Sequence, residues 1–166
     1  MDDVKNLKVF QGLNETQICN LVAAAENVRF STGDVLVNPE RPAERLLVLT
    51  RGEASVSADD RELATVSAPG VIGEMEFLNR SFRPARVVAK SEIEALAFSF
   101  EQLNTRIEDA DVATLRLFLN VARALSSRLV AMNEKFTEIA ERLDTNDPRT
   151  SDLEAFQRQL FSDWDV

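Results

Sequence analysis

The chain reads as a mainly β protein: a jelly-roll β-barrel flanked by helices and followed by one long helix. Segments near 28–31, 35–38, 46–50, 53–57, 62–66, 71–73, 85–89 and 93–99 are short, β-branched or apolar, and turn residues separate them. About eight short strands so closely spaced fit a sandwich or jelly-roll barrel. From about Ala110 to Leu143 the apolar residues instead recur in steps of three and four, the period of a helix. At 166 residues and 45% hydrophobic content the chain suits one core plus an appendage.

Taken in order, Val4, Leu7, Val9 and Phe10 form a short apolar-periodic segment that stops at Gly12. Asn14 and Gln17 then make a capping-box pair ahead of a helix to about Ala25, with Ile18, Leu21 and Val22 on one face. Cys19 sits on that helix and is expected to be a small buried hydrophobe. Residues 1–27 are thus an N-terminal helical region.

The barrel is expected over 28–99, punctuated by Thr32-Gly33-Asp34, Pro39 to Pro42, Arg51-Gly52, Asp59-Asp60 and Pro69-Gly70. Asp59-Asp60 reads as a hairpin tip. After Ser99, FEQLNTRI fits a short helix. The long run that follows carries Leu115, Phe118, Ala122, Leu125, Leu129, Met132, Phe136, Ile139 and Leu143 as a heptad seam. The start of this stripe is expected to face the barrel. A helix of about 34 residues extends about 50 Å, beyond so small a barrel, so its later half needs a partner, and a second copy is the simplest. Residues 100–143 therefore read as a hinge and dimerisation helix. The final stretch, 144–166, opens with Asn146-Asp147-Pro148 and is acidic and aromatic, with six acids against two arginines. It is expected to pack on the domain's own helices, to fold back as a lid or to dock on a partner protein.

Composition excludes several function classes. The net charge of −9 disfavours binding to nucleic acid or to an anionic membrane. No apolar run approaches the roughly 20 residues that cross a bilayer, and the start lacks a signal pattern, so a cytoplasmic protein is expected. The absence of histidine removes His-based triads and His-ligated metals, and one cysteine cannot form an internal disulfide or a thiolate cluster. No catalytic residues, metal or cofactor are expected.

The stretch with chemical content is 69–89, PGVIGEMEFLNRSFRPARVVA. A glycine turn leading into a helix start directs backbone N–H groups at one point, which suits an anion. Arg83 offers a planar fork of donors, and Glu74 can accept hydrogen bonds from a pair of sugar hydroxyls. Together they read as a sugar-phosphate pocket.

At these residues the sequence resembles the phosphate-binding cassette of cyclic nucleotide-binding domains. Gly73, Glu74, Met75 and Phe77 fit the first half of the family pattern, and Arg83, Ala85 and Val87 the second. VRFSTGDVLV, ERLLVLTRGEASVS and the long helix fall in the family's order, so the resemblance covers about residues 8–143. It implies a cAMP or cGMP site at Gly73, Glu74, Met75, Glu76, Arg83, Pro84 and Ala85. It further implies base contacts from Ser127 and Arg128, a homodimer through Leu125, Leu129, Met132, Phe136, Ile139 and Leu143, and output to another protein.

Three residues depart from the pattern. Pro84 lacks the backbone N–H that usually faces the phosphate. Glu76 brings a carboxylate near it, and two negative charges about 4 Å apart repel by roughly 4 kcal/mol at an effective dielectric near 20. Arg86 adds a positive charge that offsets Glu76. Two readings follow: a regulatory module that binds a cyclic nucleotide, or a degenerate domain in which Glu76 pairs with Arg83 or Arg86 and the barrel serves as a dimeric interaction scaffold. The 23-residue tail is too short for a DNA-binding winged helix, which counts against direct transcriptional control.

Overall fold

A computed structural model of the chain describes residues 7–41, 44–58, 61–78 and 85–142, apart from the side chains of 136 and 138–142. The chain divides into two compact units, 1–122 and 123–166.

In the first unit, a 3-10 turn (Lys8–Phe10) precedes helix α1 (Glu15–Ala24). The expected capping box is present: the Asn14 side chain accepts from the Gln17 N–H at 2.9 Å, and the Gln17 side chain accepts from the Asn14 N–H at 2.9 Å. Ile18 and Leu21 are buried, whereas Cys19 is half-buried rather than fully enclosed because it lies beside that face.

Eight strands follow among the described residues: β1 (Glu26–Phe30), β2 (Val35–Val37), β3 (Arg45–Arg51), β4 (Glu53–Ala58), β5 (Arg61–Ser67), β6 (Gly70–Ile72), β7 (Arg86–Ala89) and β8 (Ile93–Ser99). They form two four-stranded sheets, ordered β1-β8-β3-β6 and β2-β7-β4-β5. Strand 1 pairs with 8, 2 with 7, 3 with 6 and 4 with 5, all antiparallel, which is the pairing of a rolled-up jelly roll. Every strand lies within about two residues of its expected position.

β3 shows why the sheets hold. Its run Leu46–Leu49 is buried at every position. Leu47 and Leu49 point between the sheets, into a cluster with Ile72, Val87, Ile93 and Ala95. Alternation sends Leu46 and Val48 to the opposite face, where they pair with Phe98 and Leu96. That face is dry as well, so the barrel wears a helical cover. Phe10, Leu21, Leu103 and Leu117, on the flanking helical segments, are equally buried.

The cover consists of α1, a short helix α3 (Phe100–Glu108) and the beginning of the long helix α4 (Val112–Arg142); α2 (Glu74–Leu78) lies between β6 and β7. Asp111 caps α4: its side chain accepts from the Ala113 N–H at 3.2 Å and the Thr114 hydroxyl at 2.7 Å, and pairs with Arg106 at 3.0 Å. Asn120 is buried and donates to the carbonyls of Val9 (3.0 Å) and Gln11 (2.8 Å), tying α4 to the N-terminal turn.

One expectation about α4 is overturned. The residues it buries are Ala113, Thr114, Leu117, Asn120 and Val121. Leu115, which heads the apolar stripe expected against the barrel, is 44% exposed. The heptad reading placed the seam on a neighbouring face because Asn120 and Thr114, both polar, serve as inward positions.

Candidate functional site

The cassette is built by β6, α2 and β7. Gly73 follows β6 with φ +92, a backbone that only glycine adopts freely. A side chain there would also collide, since an added Cβ would lie 2.6 Å from the Arg45 carbonyl oxygen. This close approach lets α2 begin immediately, with the Phe77 N–H donating to the Gly73 carbonyl at 3.1 Å.

Within α2 the side chains divide by face. Glu74 is 6% exposed, a buried carboxylate in the first turn, and it has a partner within the chain. Met75 and Leu78 are exposed, while Glu76 and Phe77 are half-buried. Among the described residues neither Glu76 nor Arg86 has an ion-pair partner, so the expected substitute pair Glu76–Arg86 is not formed. Ala85 leads directly into β7. Arg83 and Pro84 lie outside the described residues, as do Leu143 and the tail.

Sequence reasoning did not find the use made of Phe77. Its ring stacks on Phe118 of α4, with centroids 4.5 Å apart and planes at 20°. It also meets Phe100, the first residue of α3, edge-on at 5.0 Å. The cassette helix is thereby wedged against both following helices. Phe118 stood in the apolar stripe, but nothing local links residues 77, 100 and 118; only the fold brings them together.

Ser127 and Arg128 belong to the second unit. Both are exposed on α4, and the Ser127 hydroxyl donates to the Arg123 carbonyl at 3.0 Å. Of the expected dimer seam, Leu125 is half-buried, Leu129 is 40% exposed and Met132 is 67% exposed. Leu119 and Val130, at 43% and 54%, extend the exposed apolar surface of the helix. The side chains of Phe136 and Ile139 lie outside the described set.

No group of three or more potential metal ligands occurs among the described residues. No helix there is long and apolar enough to cross a membrane.

The fold is a jelly-roll β-barrel in which a glycine turn and a short acidic helix lie between the sixth and seventh strands. The description "Cyclic nucleotide-binding domain" matches residues 27–109, half of the chain, and the chain belongs to that family. The N-terminal domain of a transcriptional regulator from Streptomyces coelicolor A3(2) is 31% identical, with a TM-score of 0.61 over 79% of this chain and 95% of that one. A cyclic nucleotide-binding domain from Methylobacillus flagellatus has a TM-score of 0.71 at 19% identity, covering 87% of this chain and 83% of the other. Among curated proteins, the cGMP-dependent protein kinase egl-4 of Caenorhabditis briggsae is 29% identical over 93 residues, 56% of this chain. The chain spans only 12% of that kinase's length.

Proposed function

We propose that this chain is a non-catalytic regulatory module that binds cAMP or cGMP in its cassette and signals to a partner protein through α4. The observation that carries this reading is Glu74, a buried carboxylate directly after the positive-φ Gly73. Burying a carboxylate is costly without hydrogen-bond donors, and a ribose hydroxyl pair supplies two such donors. Arg83 then holds the cyclic phosphate, with the backbone near Glu76 and Ala85 beside it. Met75 and Pro84 border the pocket. The similarity to a cGMP-dependent kinase supports the ligand class.

The Phe77–Phe118 stack gives the signal a route, because any ligand that moves α2 displaces a ring packed on α4. The exposed apolar residues of α4, Leu129 and Met132 among them, support a parallel homodimer. A net charge of −9 argues against nucleic acid or an anionic membrane as the partner, and a cytoplasmic setting accords with the ligand.

Calorimetry with cAMP and cGMP tests the reading. Saturable binding in the micromolar range, about 8 kcal/mol, is expected for the parent chain and is lost in Arg83→Ala. Absence of heat from either nucleotide would leave the domain as a dimeric interaction scaffold.

A further inference from the structure

We infer that a second small-molecule pocket opens where the two sheets part, and that it takes a compact organic monocarboxylate with its head held by Arg41. β1 and β2 are both outer strands of their sheets. Between them and β3 lies a cavity of about 500 Å³, within the roughly 300–1,000 Å³ range of small-molecule sites. Val28, Phe30, Val35, Leu36, Val37 and Leu47 give it an apolar wall. Among the described residues none of Gly73, Glu74, Met75, Glu76 or Ala85 lines it, although Arg45, which does, brings its carbonyl oxygen close to Gly73.

The polar lining comes from Asn38, Arg41 and Glu44, which lie between β2 and β3, and from Arg45, the first residue of β3. Two of its members are committed: Asn38 Oδ1 accepts from the Glu40 N–H at 3.0 Å, and the Arg45 guanidinium pairs with Glu26 at 2.8 Å. Arg41 and Glu44 have no side-chain partner among the described residues. An uncommitted guanidinium beside an apolar hollow matches an apolar body ending in a carboxylate, which it can bind through two parallel hydrogen bonds. Glu44 lines the same cavity and selects against dianions, since a second negative charge would meet an unpaired carboxylate. A monocarboxylate is therefore favoured over a phosphate.

Octanoate is the probe, added to the full-length chain and followed by methyl-resolved NMR. It is expected to shift the methyls of Val28, Leu36 and Leu47 saturably, and to bind at least about ten-fold more tightly than 1-octanol, which lacks the charge. Arg41→Gln, at an exposed position, should abolish that preference. Val35→Trp, at a wall position 41% exposed and so tolerant of substitution, should block both ligands. Saturating cGMP should leave the octanoate shifts in place. The inference is overturned by equal affinity for octanoate and octanol, by unchanged binding in Arg41→Gln or Val35→Trp, by the absence of shifts at these methyls, or by displacement of octanoate by cGMP. Apart from the cGMP arm, these results do not depend on whether the cassette binds a nucleotide.

Discussion

Phe77 of the cassette helix lies ring-on-ring with Phe118 of the long helix, 4.5 Å between centroids. Aromatic pairs of this kind contribute about 0.5–1.5 kcal/mol beyond the area they bury. Denaturant unfolding of Phe77→Leu, Phe118→Leu and the double mutant should give a coupling energy of about 1 kcal/mol. Additive single-mutant losses would mean that the rings are neighbours without mutual dependence, and the proposed route from cassette to helix would lose its first link.

Gly73 and Gly33 provide a controlled pair, since both have positive φ, +92 and +95. A Cβ on Gly33 meets nothing within 4 Å, whereas one on Gly73 would meet the Arg45 carbonyl at 2.6 Å. Gly33→Ala should therefore cost only the backbone strain, about 1 kcal/mol. Gly73→Ala should cost about 3 kcal/mol or more, because rigid main chain must also move. Urea melts of the two variants make the comparison, and equal losses would contradict it.

Asp111 makes the anchoring of α4 dependent on pH. Its carboxyl is held below the usual range, chiefly by the Thr114 hydroxyl and then by the Ala113 N–H and the Arg106 charge, while burial opposes them. The folded chain thus takes up this proton less readily than the unfolded one. Its contribution is whole above the unfolded carboxyl value of about 3.9 and disappears as pH falls through the lower folded value. Asp111→Ala should cost about 1 kcal/mol at about pH 7, and the gap from the parent should narrow in strong acid. A gap that persists unchanged there would show that the charge is irrelevant and the cap purely steric.

The exposed apolar residues of α4 lead to a prediction about assembly. Leu129→Asp with Met132→Asp should convert a dimer to a monomer in sedimentation velocity without lowering helix content, as both residues are exposed in the single chain. If the parent chain sediments as a monomer, the dimer proposal falls.

Glu76 has no ion-pair partner among the described residues, so its carboxylate is available to oppose a bound phosphate. Glu76→Ala should then tighten cyclic nucleotide binding, by about ten-fold if about two-thirds of the roughly 4 kcal/mol repulsion is screened or avoided. Calorimetry reads the change; an unchanged or weaker affinity would mean that Glu76 points to solvent when the ligand binds.

Much of the architecture was readable from residue order alone. A change from a period of three or four to a period of two, and back, located eight strands and the helices around them, because burial on one side imposes that spacing wherever a strand or helix forms. Asn14 with Gln17 identified a helix start, since the cap is made by residues three apart. Gly73-Glu74 marked the cassette for the same reason: the turn and the acid are adjacent. These signals are local, and local chemistry is written consecutively along a chain.

Other features rest on contacts between residues far apart in sequence. Which face of α4 turns inward was decided by Asn120, a polar side chain that finds the Val9 and Gln11 carbonyls about a hundred positions earlier. The meeting of Phe77, Phe100 and Phe118 and the hollow between β1, β2 and β3 likewise exist only after strand 1 has closed on strand 8 and strand 2 on strand 7. Periodicity says that a face must be covered; the simultaneous packing of distant segments chooses what covers it and where space is left.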